Sequence, residues 1–346
     1  ALMLDAPGHI ALFRLSALGD VTLMLPLVRT LQKQWPNTRL TWIIGKGVYP
    51  LMEGLSGVEF LVIEKPRSIK DYYRLHTLFQ HHKFDVLLAM QASFRTNLIY
   101  PHIKADRKIG FDNSRARDLH RFFINEQIDS RNEHLADGFL GFARKLGIQK
   151  QTVKWGLYVP EVDRRWANTL RPSVRPWIAI NPVASKAERT WLPDRYASVI
   201  DKAHRQWGCD FVLTGGPQPA EIELAKDIEQ IAETPILNLV GKTSYKKIAA
   251  LLTTVDLLIA PDTGPVHIAV AVDTPVIGLY AVARPELSGP YQQGQYTVNR
   301  YPEAVDLYLN KSPDTASWHE RVHEDGAMAL ITVGDVLERL RSVLEI

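Results

Sequence analysis

Cysteine is nearly absent from this chain, with Cys209 the only one in 346 residues. A disulfide framework is thereby excluded. A lone thiol in Cys-Asp-Phe-Val-Leu, beside an apolar run, reads as a buried structural residue of a protein kept in a reducing compartment. Long apolar runs are missing too. The most apolar stretch, Val255 to Ala283, is broken by Asp256, Asp262, His267 and Asp273, each costly in hydrocarbon, so strands and a buried helix are expected rather than a membrane span. The segment Ala1 to Pro7 has neither a basic start nor an apolar core, so it does not resemble a signal peptide and a cytoplasmic location is expected. Low-complexity tracts are lacking, and 46% hydrophobic with 23% charged residues is the composition of a folded globular body.

Net charge is only +3, yet it is unevenly spread. Residues 1–165 hold 24 Lys+Arg against 16 Asp+Glu, and residues 166–346 hold 17 against 22, a balance of +8 and −5. The first half is thus suited to an anionic partner such as a phosphorylated substrate or a lipid headgroup layer, although such charge also serves as solvated surface. Nucleic acid is not expected, because the cations are not interleaved with stacking aromatics and no nucleic-acid module is visible.

The length suggests two domains. Short apolar runs alternate with helical periodicity in the first half: strands near Ile10–Leu15, Arg39–Ile44, Val58–Ile63 and Phe84–Met90, with helices near Val21–Gln34 and Lys70–His82. A second cycle begins at Pro176, with strands at Trp177–Ile180, Cys209–Leu213, Val255–Ala260 and Pro275–Leu279. Its helices fall near Pro193–Trp207, Ala220–Ala232 and Tyr245–Leu252, with another after Gly264. This predicts an α/β protein of two doubly wound, Rossmann-like domains facing a cleft, with Pro160, Pro172 and Pro176 marking a linker. The predicted division is 1–165, 166–330 and a closing amphipathic helix within 331–346 that packs back across the linker as a clamp.

Strand-to-helix turns carry the candidate chemistry, since open α/β sheets bind ligands at the carboxyl ends of their strands. Asp262-Thr263-Gly264, followed by His267, combines a close-approach glycine, a hydroxyl donor and a helix start whose free N–H groups suit a pyrophosphate. The same residues also read as an N-cap aspartate and a core histidine. Gly19-Asp20, after the first strand, offers a carboxylate that can take a proton from an acceptor hydroxyl, or simply cap the next helix. Ser185, Lys186 and Arg189 lie in the matching turn of the second cycle. Glu221, behind Gly215-Gly216-Pro217, suits a ribose but is equally a first-turn acid. Three patterns mislead. Gly241-Lys242-Thr243 lacks the leading glycine of a P-loop, because position 236 is Ile; no Gly-x-Gly-x-x-Gly follows the first strand; and His319-Glu-Arg-Val-His323 matches a zinc-protease pattern without the long helix it needs.

Leu18-Gly19-Asp20-Val21, Arg189-x-Trp191-x-Pro193, Gly215-Gly216-Pro217 with Glu221, and Asp262-Thr263-Gly264-x-x-His267 together resemble the lipopolysaccharide heptosyltransferases of glycosyltransferase family 9, over about Ile10 to Tyr280. The resemblance implies a GT-B fold and inverting transfer of L-glycero-D-manno-heptose from ADP-heptose to Kdo, plain or phosphorylated, of the lipid A core, with no metal or other cofactor. It implies Asp20 as general base and Ser185, Arg189, Thr263, Gly264 and His267 around the diphosphate. Asp262 would orient that turn, Glu221 would hold the ribose, and the backbone near Thr243 the adenine. Gly19, Arg95, Arg115 and Arg117 would face the acceptor. Arg189 and Arg95 stand where the family usually has Lys, which keeps the charge but changes the geometry. The basic segment Arg107 to Arg121 looks most like the first heptosyltransferase. The expected setting is a monomer working at the cytoplasmic face of the inner membrane; the alternative is a GT-B-like enzyme for another nucleotide sugar, a later heptosyltransferase or an epimerase.

Overall fold

The computed structural model describes residues 5–346; residues 1–4, the start of the segment read for a leader, lie outside the described residues. The chain divides into two compact units, the first ending at Tyr158 and the second running Val159–Ile346.

The first unit is built on one sheet of six parallel strands: β1 (His9–Phe13), β2 (Arg39–Gly45), β3 (Glu59–Ile63), β4 (Lys83–Ala89), β5 (Lys104–Gly110) and β6 (Glu126–Gln127). Their order is β3-β2-β1-β4-β5-β6. The second unit repeats the plan with β7 (Trp177–Ile180), β8 (Asp210–Leu213), β9 (Leu237–Asn238), β10 (Leu257–Pro261), β11 (Val276–Tyr280) and β12 (Val298–Asn299), ordered β12-β11-β10-β7-β8-β9. In each sheet the first strand is central and the winding reverses beside it, between β1 and β4 and between β7 and β10. Continuous apolar runs such as Ile10–Phe13 and Leu257–Ala260, none of it exposed, reflect strands covered on both faces.

The first unit's helices are α1 (Leu18–Leu23), α2 (Leu25–Gln34), α3 (Tyr49–Met52), α4 (Ile69–Gln80), α5 (Phe94–Asn97) and α6 (Leu135–Lys145). The second unit carries α7 (Glu161–Leu170), α8 (Pro193–Trp207), α9 (Pro219–Ile231), α10 (Tyr245–Thr254), α11 (Gly264–Ala271), α12 (Pro285–Ser288), α13 (Tyr301–Leu309) and α14 (Val333–Leu344). The single leading helix expected over Val21–Gln34 is two helices. Pro26 has no N–H to give Thr22, so the helical ladder stops at Met24 and restarts.

The stretch read as a linker contains α7, which packs on α10, and its Trp166 ring lies under the Lys247 ammonium at 4.8 Å. The closing helix α14, expected as a clamp across the linker, packs on α8 and on β11 and β12 of its own unit, with Val336 and Leu340 fully buried. Its Asp335 both caps the helix at Thr332 and receives Arg300 at 2.6 Å. Among the described residues no helix is long and apolar enough to cross a membrane.

Candidate active site

The candidate residues fall on the carboxyl-end turns of the two sheets. Gly19 and Asp20 follow β1 and Arg95 follows β4; Ser185 and Arg189 follow β7, Glu221 follows β8, Thr243 follows β9, and Asp262 to His267 follow β10. In both units the β1/β4 and β7/β10 turns flank the winding reversal, where such sheets open a crevice for a ligand.

In the first unit, Arg14 stitches these turns together. Its Nε donates to the Ser16 carbonyl (2.6 Å), one terminal nitrogen donates to the Met90 carbonyl (2.7 Å), and the other lies 2.8 Å from the Asp20 carboxylate. Gln91, buried behind the turn, accepts from the Leu15 N–H at 2.8 Å and fixes the loop to the end of β4. The helix begins at Leu18 with Ala17 as its N-cap, so Asp20 is not the cap residue; it sits in the first turn and reaches back to the Ala17 N–H at 3.3 Å. Sequence reading passed over Arg14 as a partner, because nothing in a single arginine after a strand shows where its fork will point.

Arg95 is exposed on α5, with its carbonyl taking the Tyr72 hydroxyl at 2.9 Å. Lys65, just past β3, was also passed over. Burial first, then the neighbouring charges of Arg95 and Arg14, hold its ammonium below the usual lysine range. A pocket of about 350 Å³ is lined by Lys65, Arg67 and Arg74 together with Glu64, Asp71 and Leu75. Arg117 is exposed, and its carbonyl accepts from Asn97 at 3.1 Å, which ties its loop to α5. Arg115 stands apart: its guanidinium contacts Asp112, donates to Glu133 at 3.2 Å and to the Asp129 carbonyl at 3.0 Å, and its side chain is only 12% exposed. Its charge is already engaged inside the unit.

In the second unit, Trp191 is a core anchor, packed edge-on against Tyr196 and donating to the Ile331 carbonyl at 3.1 Å. With Pro193 opening α8, this anchor places Arg189 under the turn, 8% exposed, with one terminal nitrogen 3.4 Å from Asp262. Ser185 and Lys186 are exposed beside it. Asp262 also receives the Ser288 hydroxyl at 3.4 Å, and Tyr280 donates to the Ser288 carbonyl at 3.0 Å. Burial, then the Asp262 charge, push the Tyr280 phenol well above its usual range and keep it neutral. Ser288 and Tyr280 were missed by sequence reading, although the position of Tyr280 at the end of the strand next to β10 was available as a signal.

Thr263 is the N-cap of α11 in extended conformation, with its hydroxyl not used on the helix. Gly264 opens the helix, and His267 lies one turn in, 5% exposed. Glu221 accepts from the Gly216 N–H (3.0 Å) and the Gln218 N–H (3.4 Å), so it holds the glycine turn. A Cβ at Gly216 would stand 2.8 Å from that carboxylate, so a side chain there would push Glu221 off the turn. Among the described residues, two of the buried polar atoms without a hydrogen-bond partner belong to these turns and to side chains already named as candidates: Arg189 Nε and Thr243 Oγ1. Each costs about 1–3 kcal/mol as it stands, a cost that an arriving anion or polar ring offsets.

The zinc-protease pattern takes no helical form. Residues 319–323 are irregular, so the two histidines do not share a helix face, and His323 instead lies 2.8 Å from Glu188 in the turn after β7.

The chain matches the model of glycosyltransferase family 9 (heptosyltransferase) over residues 72–309. It is 33% identical over 343 residues, covering 99% of both chains, to the lipopolysaccharide core heptosyltransferase OpsX of Haemophilus influenzae. The chain therefore belongs to glycosyltransferase family 9, the heptosyltransferases. Its structure resembles that of a family 9 glycosyl transferase from Veillonella parvula, with a TM-score of 0.81 and 22% identity over 100% of this chain and 99% of that one. It also resembles the E. coli heptosyltransferase WaaC with ADP, with a TM-score of 0.73 and 19% identity over 97% and 99%. The fold is thus the two-unit GT-B fold of these transferases.

Proposed function

We propose that this enzyme transfers heptose from ADP-heptose to Kdo of the lipid A inner core, with inversion, as the first heptosyltransferase step of lipopolysaccharide assembly. The observation that carries the donor half is the pair of unpartnered buried atoms, Arg189 Nε and Thr243 Oγ1, in turns at the same carboxyl end of the second sheet as Asp262-Thr263-Gly264. Arg189, His267 and the start of α11 neutralise the departing diphosphate, with Ser185 and Thr263 adding hydroxyl donors. Asp262, set by Arg189 and Ser288, orients this turn, while Glu221 and the backbone near Thr243 hold the nucleoside.

In the reaction the acceptor hydroxyl oxygen bonds to the anomeric carbon as the bond from that carbon to the diphosphate oxygen breaks. The electron pair leaves with ADP, and the hydroxyl proton goes to Asp20. Gly19 lets the acceptor approach this turn. Arg95 and Arg117 meet the acidic acceptor, with Arg115 shaping their segment. Positive side chains and the helix start take the part a metal ion plays elsewhere. The enzyme works as a monomer in the cytoplasm, against the inner face of the membrane that holds its acceptor.

Calorimetry with ADP, UDP and GDP, followed by ADP release from ADP-heptose with and without a Kdo-bearing acceptor, tests the proposal. Tightest binding of ADP and acceptor-dependent, chelator-resistant release are expected. Full-rate consumption of donor without acceptor would overturn it in favour of an epimerase-like activity.

A further inference from the structure

Five large apolar side chains of the first unit are exposed on α4, α5 and the loop of residues 117–122: Ile69 (76%), Tyr73 (69%), Phe94 (62%), Leu119 (62%) and Phe122 (65%). Ile69 and Tyr73 are one turn apart on α4. Next to Tyr73, Tyr72 hydrogen-bonds the α5 backbone at Arg95, and α5 is joined to the loop of residues 117–122 by three contacts. The Phe94 N–H donates to Asp118 (3.0 Å), and Asn97 donates to the carbonyls of Arg117 (3.1 Å) and Asp118 (2.8 Å). Asp118 and Leu119 are both in the left-handed region, at φ 54° and 64°. A bulky leucine held there and turned to solvent is an unfavourable arrangement that the Asn97 and Asp118 bonds maintain.

The same region is strongly cationic. Lys70, Arg74, Arg95, Arg117 and Arg121 are all exposed, and the Arg121 guanidinium lies 4.8 Å from the centre of the Phe122 ring. The acids among them are engaged locally: Asp71 accepts from the N–H groups of Arg67 and Ser68, and Asp118 accepts from Phe94. Scattered exposed apolar residues are ordinary, but aromatic and aliphatic tips ringed by cations match the two attractions of an anionic lipid surface, insertion below the headgroups and pairing with phosphates.

We infer that this face docks the enzyme on an anionic bilayer, Ile69, Tyr73, Phe94, Leu119 and Phe122 inserting while Lys70, Arg74 and Arg121 pair with lipid phosphates. The inference rests on the reading of a lipid-anchored acceptor and says which surface meets its membrane.

The test is co-sedimentation of the full chain with vesicles of phosphatidylcholine, with or without phosphatidylglycerol, carrying neither donor nor acceptor. Binding to the anionic vesicles alone is expected, falling steeply with added salt. Ile69→Ser/Tyr73→Ser/Phe122→Ser should bind at least about tenfold more weakly, and Lys70→Glu/Arg121→Glu weaker by a similar factor, about fivefold or more for each cation reversed. Both variants should keep the wild-type circular dichroism and melting temperature. They should also turn over a deacylated, water-soluble acceptor at the wild-type rate while slowing on the same acceptor embedded in vesicles. Wild-type-like binding by either folded variant overturns the docking surface. So does concentration-dependent self-association that the apolar substitutions abolish while vesicle binding persists. Failure of the transfer reading appears separately, as absence of ADP release from the soluble acceptor by the wild-type enzyme.

Discussion

The Asp20 carboxylate lies 2.8 Å from the Arg14 guanidinium, and Arg14 in turn grips the carbonyls of Ser16 and Met90. The carboxylate assigned to proton transfer is thus fixed to the ends of β1 and β4, the two strands that flank the winding reversal. Asp20→Asn keeps the shape and the Ala17 contact but cannot take the proton. Turnover should fall about a hundredfold or more with ADP affinity unchanged. Rapid-quench or coupled ADP-release assays beside calorimetry will show it; equal turnover would reduce Asp20 to a helix-start acid.

Arg14→Lys probes the same turn in a different way. Lysine keeps the charge but has no planar fork to serve two carbonyls and a carboxylate together. A fall of about tenfold in kcat is expected, with little change in the affinity for ADP. A loss confined to KM for the donor would show that the turn belongs to donor binding instead.

Thr243 Oγ1 is buried and unpartnered, which gives Thr243→Val an unusual combination of expected effects. Removing the orphaned hydroxyl should leave the unliganded melting temperature unchanged or raised, by up to about 1–2 kcal/mol of stability, because no bond is lost and a desolvation cost disappears. If the hydroxyl is kept for the nucleotide, ADP affinity should fall about five- to tenfold at the same time. Thermal shift with and without ADP measures both. Destabilisation with unchanged ADP binding would assign Thr243 to the fold alone.

The Tyr280 phenol holds the Ser288 carbonyl at 3.0 Å, and the Ser288 hydroxyl reaches Asp262 at 3.4 Å. Tyr280 acts here as a positioning residue. Tyr280→Phe should lower stability by about 1–2 kcal/mol through the unpaired buried carbonyl. Ser288→Ala should raise KM for the donor more than it lowers kcat, since it frees Asp262 on one side. Thermal denaturation of Tyr280→Phe and steady-state kinetics of Ser288→Ala read the two outcomes, and an unchanged donor KM in Ser288→Ala would detach Ser288 from the donor site.

Much of this architecture was legible in the sequence because covered parallel strands leave continuous apolar runs. The bounds of α8 and α14, from Pro193 to Trp207 and from Val333 to Leu344, coincide with their helical periodicity. What escaped has physical reasons. β5, Lys-Ala-Asp-Arg-Lys-Ile-Gly, is polar along most of its length, so it carries no apolar run. α6 contains Gly138 and Gly141, which depress helix propensity, yet it forms because Phe139, Leu140 and Phe142 are buried. The candidate turns were picked out by their residue types and their place after strands, and the structure does put them at strand ends. Their ion pairs, Arg14 with Asp20 and Arg189 with Asp262, were not, because pairing across a turn depends on side-chain direction. Arg115 shows the converse: its basic segment pointed to an acceptor, and the fold spends that charge on Asp112 and Glu133.

His120 supplies a pH-dependent term in the first unit. Its ring is fully buried, paired with Asn97 at 2.8 Å and accepting the Phe111 N–H at 3.2 Å, and burial lowers its pKa to about 4. In the unfolded chain the ring titrates near its ordinary value of about 6.5. Between those two values the unfolded state binds a proton that the folded state refuses, so stability falls as pH drops through this window and the contribution is complete above it. A loss of up to about 3 kcal/mol between pH 7 and pH 4 is expected from this residue. His120→Gln removes the proton acceptor and should flatten the acid side of the first unit's stability curve, at a constant cost for the altered Phe111 contact. Hydrogen exchange at pH 7 and pH 5, followed at the backbone amides of β1 to β5, reads the difference within that unit. An equally steep acid decline in the variant would place the pH dependence elsewhere.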